Sequence, residues 1–173
     1  MLVQLMPYSA LSSLQRRQLL TITLPAAQQR YSGDIDSALY QLLNKPTPEL
    51  QGVALLGDQV PLGFLLLRTG SLLPPWAAPD AMTLHALQID RAHQGQGLGR
   101  ACLEQLPAFV RHGWPHARCL QLSVDTANHV ARHLYAALDW RDDGQAYTHE
   151  RRMTKTLCSL PSAADSPSCG PLH

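Results

Sequence analysis

The sequence predicts an α/β fold in a single domain. Segments with the spacing of strands alternate with segments of helical spacing along the chain. In the stretch 83–110, a short buried strand leads into an amphipathic helix through a loop with glycines at alternate positions. The chain has 173 residues, of which 45% are hydrophobic and 16% are charged. This length and composition suffice for one well-buried core and are not typical of a disordered chain.

Charge and composition argue against several classes of function. The net charge is +1, so no overall field directs the chain to nucleic acid or to an anionic membrane. The first residues lack a basic region followed by an unbroken apolar stretch, and no apolar run approaches membrane-spanning length. We therefore expect a cytoplasmic protein that binds neither nucleic acid nor a membrane.

The cysteines and histidines do not indicate a metal site. None of the four cysteines forms a C-x-x-C pair, and we expect reduced, structural thiols. His129 and His133 stand four residues apart on a predicted helix, but the glutamate of a zinc protease motif is absent. We expect both histidines at the surface. The cysteines are Cys102, Cys119, Cys158 and Cys169.

The first half of the chain is predicted to form one strand, two helices and a hairpin. Pro46 and Pro48 end the second helix, and Gly57 with Asp58 marks the hairpin turn. The proline-rich segment 70–80 cannot continue a sheet. The predicted elements are a strand at 2–6, helices at 11–20 and 34–43, and hairpin strands at 53–56 and 62–67.

The second half is predicted to alternate strands and helices. Pro107 lies late in the first of these helices, where it removes a hydrogen bond, so we expect a kink or an early end there. The segment 158–173 is rich in Ser, Pro and Gly, which is typical of a disordered tail. The predicted elements are strands at 83–90, 119–124 and 147–156, helices at 98–110 and 128–138, and a weak strand near residue 140.

The glycine loop between the strand and the helix at 83–110 predicts an anion site. Such a loop leaves main-chain N–H groups exposed at the positive end of the helix, where a phosphate group binds well. Gly95, Gly97 and Gly99 allow the ligand to approach the backbone closely. Neither the P-loop pattern nor the dinucleotide pattern G-x-G-x-x-G fits, since Cys102 stands where a third glycine is needed.

The loop fits the pattern Q/R-x-x-G-x-G/A, from Gln94 to Gly99 with Arg100 next. It resembles the acetyl-CoA pyrophosphate loop of the GNAT superfamily of acyl-CoA-dependent N-acyltransferases. The order of elements also agrees with the GNAT fold from residue 2 to residue 157. The resemblance implies one domain, 1–157, with a mixed, mostly antiparallel sheet that splays at its central strands and carries helices on both faces.

A second motif supports the resemblance. Asn128 to Tyr135 follows the pattern N-x-x-A-x-x-x-Y, and the two residues lie two turns apart on nearly the same helix face. The resemblance assigns Asn128 to the cofactor and Tyr135 to protonation of the leaving thiolate, for which a phenol suits because it stays protonated at neutral pH. Taken singly, asparagine also caps helices and tyrosine also packs in cores.

The resemblance implies acetyl-CoA as the cofactor. In the family, main-chain groups of the central strand hold the pantetheine arm as an added strand would, and the loop amides hold the pyrophosphate. The implied cofactor residues are Leu87, Gln88, Ile89, Gln94, Gly95, Gln96, Gly97, Leu98, Gly99, Arg100, Asn128 and Tyr135.

The general base is less well defined. Some family members place a glutamate on the central strand, where this chain has Thr83. His85 lies on the same strand face, and its pKa near neutrality suits proton transfer, so His85 is our candidate. A packed or surface histidine is the alternative, with water taking the proton.

The acceptor is the least specified partner. The resemblance to bacterial polyamine-type acetyltransferases implies a primary amine of a small molecule, acetylated by direct transfer without a covalent enzyme intermediate. Asp34 and Asp36 could attract a cationic amine or simply begin a helix, and Trp76 could line the acceptor site. Alternatives are a protein or peptide amine, an acetyl-CoA sensor without turnover, and a site for another nucleotide. The resemblance to the family is also compatible with a homodimer.

Overall fold

The computed structural model describes residues 1–157, so the predicted tail at 158–173 lies outside the described residues, as do Cys158 and Cys169. The described part contains one sheet of seven strands in the order β1-β2-β3-β4-β5-β7-β6. The strands are β1 Val3–Pro7, β2 Leu50–Gly57, β3 Val60–Arg68, β4 Ala81–Ile89, β5 Cys119–Asp125, β6 Arg141–Tyr147 and β7 Glu150–Thr156. The helices are α1 Ser13–Leu19, α2 Ala26–Ser32, α3 Ile35–Asn44, α4 Leu98–Gly113 and α5 His129–Ala137.

The sheet splays between β4 and β5. These two strands form the one parallel pair of the described sheet, and they pair only at Ala81–Thr83 with Cys119–Gln121. Beyond Thr83 the rest of β4 has no partner on its β5 side, whereas β3 pairs with it up to Ile89. The α/β fold class, with a mostly antiparallel, centrally splayed sheet and helices on both faces, is confirmed.

Each face of the sheet has its own apolar core. We call the side covered by α4 and α5 the α4 face, and the side covered by α1 and α3 the α3 face. Burial of these side chains is the main stabilising term of the fold. The α4-face core includes Leu65, Leu67, Met82, Leu84, Leu98, Cys102, Leu106, Leu120, Leu122, Tyr135 and Trp140. The α3-face core includes Leu19, Ile35, Ala38, Leu39, Ala54, Leu56, Phe64 and Leu66.

A β-bulge at Ala86 changes which side chains of β4 share a face. Ala86 has a φ of 54°, and the pairing of β3 with β4 shifts between Phe64, which faces Gln88, and Leu66, which faces His85. An extra residue moves the alternation of side chains by one position. Gln88 therefore lies on the α3 face together with His85, although strict alternation would separate them.

The structure differs from the predicted elements at three points. The short helix α2 was not predicted, because its sequence, AAQQRYS, has no apolar periodicity and none of its residues is buried. Helix α4 does not end early at Pro107 but continues to Gly113, where packing of Leu106 and Val110 compensates for the lost bond. The strand expected at 147–156 is the end of β6, a turn and β7.

No described helix is long and apolar enough to cross a membrane.

Candidate active site

The loop before α4 presents a row of free main-chain donors. Within residues 1–157, the amides of residues 95–100 donate to no protein acceptor, and the first amide of this region that does is Ala101, bonded to Gly97 O at 2.9 Å. Gly95 and Gly97 have φ values of 74° and 76°, and a Cβ built on either would meet no atom within 4 Å. The space in front of these amides is open, so an anion can approach them.

The start of α4 adds a favourable field for an anion. Gly97 forms the N-cap of α4, and no acidic residue lies in the first turn. The Arg100 guanidinium, expected near the phosphates, instead donates to Glu104 at 2.9 Å. Both side chains are about half exposed, so this ion pair contributes little and can exchange for a bound phosphate.

The free edge of β4 lies next to this loop. The Asp90 amide donates to Leu62 O at 2.8 Å, and main-chain groups alternate in direction along a strand. The main-chain groups of Gln88 therefore face β3, while those of Leu87 and Ile89 face the gap toward β5. Of the three residues expected to hold the pantetheine by their main chain, Leu87 and Ile89 thus face this gap and Gln88 does not, and Ile89 O already accepts a hydrogen bond from Gln94.

The side chain of Gln94 connects the loop to β4 and to α2. Its amide nitrogen donates to Ile89 O at 2.9 Å and to Gln28 Oε1 at 2.9 Å, and Gln28 donates back at 3.0 Å. The Thr23 amide donates to Asp90 Oδ1 at 3.0 Å. Burial would raise the pKa of Asp90, but the bonds from Thr23 and His93 hold it below its usual value. The sequence carried no signal for these contacts, since α2 itself was not predicted.

Tyr135 lies in the α4-face core, one residue after Leu134, whose side chain lies near the start of α4. A Cβ on Gly99 would lie 3.8 Å from Leu134 and 3.9 Å from Ile89, so α4, α5 and β4 meet at this point. The Tyr135 ring packs on Trp140 with centroids 5.6 Å apart. Burial, and to a smaller degree the nearby Cys102, raises the pKa of Tyr135 well above its ordinary value, so the hydroxyl is protonated at neutral pH.

Asn128 has a structural contact that its cofactor role must accommodate. It is the N-cap residue of α5, and its Oδ1 accepts a hydrogen bond from the Ala131 amide at 3.3 Å. The side-chain NH₂ group donates to no described protein atom, so it is free to contact a ligand. His129 and His133, on the same helix, are exposed as expected.

His85 lies on the opposite face of the sheet from Tyr135. Its Nε2 is 2.7 Å from Thr83 Oγ1, and the residue is partly buried. Burial, followed by the charge of Arg68, lowers the pKa of His85 to about 4. The imidazole is therefore neutral at pH 7 and can accept a proton, but it is a weaker base than an ordinary histidine.

A polar layer under the proline-rich loop continues the α3 face beyond β4. Thr154 Oγ1 donates to Asp143 at 2.8 Å and accepts from Gln121 at 3.1 Å. Gln121 also accepts from the Ala78 amide at 2.8 Å, and Arg152 donates to Trp76 O at 2.7 Å. These residues were not predicted from the sequence, although polar and apolar positions alternate in β5 and β7.

Two residues suggested for the acceptor differ in their surroundings. Asp34 is the N-cap of α3, accepting from the Ser37 amide at 2.8 Å, and this bond lowers the pKa of Asp34. Its position agrees with the helix-start interpretation. Trp76 packs edge-on against Tyr147 with centroids 6.4 Å apart, at the end of the β6–β7 hairpin. These two aromatic rings stand beside the polar layer.

The cysteines and the cavities add no further reactive group. Burial raises the pKa of the Cys102 thiol to about 12 and also raises that of Cys119. Among residues 1–157, no three His, Cys, Asp or Glu side chains form a metal cluster. A cavity of about 300 Å³ between α5 and β6 contains none of the predicted site residues, and its lining includes Arg132, Trp140 and Met153.

Comparison with known proteins gives a consistent family. Residues 16–140 match the family described as the acetyltransferase (GNAT) family. A protein of Bacillus subtilis (strain 168), described as the uncharacterized N-acetyltransferase YbbJ, is 28% identical over 130 residues. These residues are 74% of this chain and 80% of that protein.

Solved structures share the fold. An acetyltransferase from Thermus thermophilus has 23% identity and a TM-score of 0.60, covering 91% of this chain and 98% of its own. The PaiA N-acetyltransferase from Thermoplasma acidophilum, solved in complex with coenzyme A, has 15% identity and a TM-score of 0.63, covering 90% of this chain and 99% of its own.

Proposed function

Because this chain belongs to the acetyltransferase (GNAT) family and is an acyltransferase, we propose that it transfers an acetyl group from acetyl-CoA to a primary amine of a small molecule. The family predicted from the two sequence motifs is thereby confirmed. The donor, the acceptor class and the site residues are the parts that belong to the proposal.

The free amides of residues 95–100 carry the proposal for the cofactor. Within the described residues, six consecutive N–H groups have no protein acceptor, so their hydrogen bonds are not made by the protein itself. A pyrophosphate supplies the missing acceptors, and the positive φ of Gly95 and Gly97 directs the donors outward. The edge of β4 at Leu87 and Ile89 supports the pantetheine arm, because its main-chain groups face the gap between the strands.

The chemistry divides between the two faces of the sheet. When bound, acetyl-CoA supplies an activated acyl group as a thioester. Tyr135, on the α4 face, holds a proton on its hydroxyl oxygen and gives it to the sulfur as the C–S bond breaks. The acceptor amine reaches the carbonyl carbon from the α3 face, where its nitrogen forms the new C–N bond. A single displacement suffices, since the burial of Cys102 keeps its thiol protonated.

The proton of the attacking amine has two routes. His85 lies on the α3 face and is neutral; because its Nε2 is bonded to Thr83 Oγ1, the nitrogen that can accept the proton is Nδ1, with Nε2 donating to Thr83. Its pKa of about 4 makes the imidazolium unfavourable, so proton transfer onward to water must be fast. Water alone is the second route, and it fits the position of Thr83, which cannot act as a base.

A thiol-release assay tests the proposal. Purified protein is mixed with acetyl-CoA and a panel of primary amines, and free coenzyme A is measured. In parallel, the melting temperature is recorded with coenzyme A, NAD and ATP at equal concentration, because the ligand that binds the folded state most tightly raises it most. We expect coenzyme A to stabilise the protein most and at least one amine to be acetylated.

Each possible result distinguishes one alternative function from the proposed one. Stabilisation by NAD or ATP above that by coenzyme A would contradict the assignment of the loop. Tight binding of coenzyme A with no release from any amine or peptide would favour the sensor. Acetylation of peptide N-termini in preference to free amines would replace the small-molecule acceptor by a protein.

A further inference from the structure

An arginine without a carboxylate partner lies beside His85. Arg68 ends β3 and pairs with Thr83, so its side chain lies on the α3 face. The guanidinium donates to Gln41 Oε1 at 2.7 Å, and within residues 1–157 no carboxylate is in ion-pair distance of it. Its charge contributes to the lowered pKa of His85, so the two groups are close. A cation in this position favours an anionic ligand.

One carboxylate at this face is already paired with a cation. Asp143 accepts from Arg152 at 2.7 Å and from Thr154 at 2.8 Å. Because the arginine balances its charge, Asp143 is not available to an ammonium group of an acceptor.

Gln88 supplies a second unsatisfied group on the same face. The residue is 1% exposed, and its Oε1 has no hydrogen-bond donor within the described residues. Its amide nitrogen points to Ser32 O at 3.4 Å, so exchanging the two amide atoms would set oxygen against oxygen. A buried carbonyl oxygen without a donor is unfavourable, and a ligand N–H would remove that penalty.

These observations rest on the proposed acetyl transfer and define its acceptor. We propose that the acceptor is a primary amine that carries a carboxylate at the other end of an extended aliphatic chain, as ε-aminocaproate does. Arg68 binds the carboxylate, and the Gln88 side-chain oxygen accepts a hydrogen bond from the amine. His85 lies between the two groups, next to the amine that it can deprotonate.

The spacing sets the length of the acceptor. Arg68 faces Thr83, and Gln88 lies five residues further along β4 with one bulge residue between them. A strand rises about 3.3 Å per residue, so the two ends of the site are roughly 13 Å apart along the backbone. An acceptor that reaches both groups therefore carries its amine and its carboxylate at opposite ends of an extended chain.

Matched acceptor pairs test the inference. Glycine, β-alanine, γ-aminobutyrate and ε-aminocaproate are compared with their carboxamides, and with putrescine and spermidine, by release of coenzyme A. We expect kcat/KM for the best acid to exceed that for its carboxamide roughly tenfold or more, through KM. In Arg68→Gln this preference disappears, while the carboxamide keeps its wild-type KM.

Two variants serve as controls for this test. Arg17→Gln removes the same charge from the exposed surface of α1, and we expect it to retain the preference for the acid. Gln88→Leu removes the unsatisfied oxygen at similar volume. We expect it to raise KM for acids and carboxamides alike with an unchanged or higher melting temperature, whereas a purely structural glutamine would lower that temperature.

The outcomes distinguish the inference from the function on which it rests. Diamines or carboxamides used as well as the acids would overturn the inference and leave acetyl transfer to amines intact. An equal loss for acid and carboxamide in Arg68→Gln would show a structural role and would also overturn it. No release of coenzyme A with any amine would reject the proposed function together with the inference.

Discussion

Replacing Gly97 by valine should separate cofactor binding from folding. Gly97 has a φ of 76°, and a Cβ there would project into the open space before the free amides. Left-handed backbone strain in a residue with a Cβ is about 1–2 kcal/mol, and valine lies at the upper end. In a chain of this size, that strain lowers the melting temperature by roughly 4–8 °C. The protein should remain folded.

The expected effect on coenzyme A is much larger than the effect on stability. The valine side chain would keep the pyrophosphate from at least two amides, and a hydrogen bond to a charged group contributes about 1.5–3 kcal/mol. The loss is then about 3–6 kcal/mol, or roughly a 10²–10⁴-fold rise in Kd. Calorimetric titration with coenzyme A, together with circular dichroism of the variant, measures both quantities.

Gly33→Val is the control for backbone strain away from the loop. Gly33 has a φ of 70° with no atom within 4 Å of a Cβ, and it lies between α2 and α3. Its ψ of −156° places it in a region that is open almost only to glycine, so we expect at least as large a fall in melting temperature, with an unchanged Kd for coenzyme A. If Gly97→Val is folded and binds coenzyme A within about threefold of wild type, the loop does not hold the pyrophosphate. Gly97→Ala provides the same comparison should the valine variant not fold.

Three further predictions concern buried titratable groups. Tyr135→Phe should lower kcat by roughly 10²–10⁴-fold without changing the Kd of coenzyme A, and an unchanged kcat would exclude the hydroxyl as the acid. Because the pKa of Tyr135 is raised, the pH profile of wild-type kcat should show no decline caused by Tyr135 up to about pH 10. The folded state keeps His85 neutral down to its pKa of about 4, whereas the unfolded chain takes up the proton near pH 6.5. The free energy of unfolding of the wild type should therefore fall by about 3 kcal/mol as pH drops from 6.5 to 4. Urea titrations of His85→Gln should not show this contribution to the fall. An identical fall in both proteins would refute the lowered pKa of His85. The Cys102 thiol, with a pKa of about 12, should resist iodoacetamide at pH 8 in the native protein and react in urea, as peptide mass spectrometry will show, and Cys102→Ala should retain turnover. Labelling of native Cys102, or loss of turnover in a folded Cys102→Ala, would argue for a covalent intermediate.

The sequence alone determined the features that depend on local chemistry. Gly95 and Gly97 adopt positive φ values that other residues adopt poorly, so this loop could be recognised from the sequence without a structure. The same holds for the Asp34 cap and for the turn at Asp58, which has a φ of 47°. Strand and helix periodicities gave most of the element order, because each periodicity reflects one buried face.

Contacts between distant segments could not be predicted from the sequence. Helix α2 has no buried residue, so it lacks an apolar pattern, and its position is fixed by the link from Gln28 to Gln94. Pro107 predicts the end of a helix locally, but burial of the residues around it keeps α4 intact. Local helix propensities contribute less free energy than such packing, so tertiary contacts determine where these helices form and end.

The two faces of β4 show the difference most clearly. The sequence predicted a strand with His85 facing the acceptor, and this required only alternation. The bulge at Ala86 arises from pairing with β3, and it brings Gln88 onto the face of His85. Arg68 joins them through the register of a neighbouring strand. Strand register depends on contacts between residues far apart in the chain. The sequence therefore determined the loop proposed for the cofactor, whereas only the tertiary structure brought together the residues proposed for the acceptor.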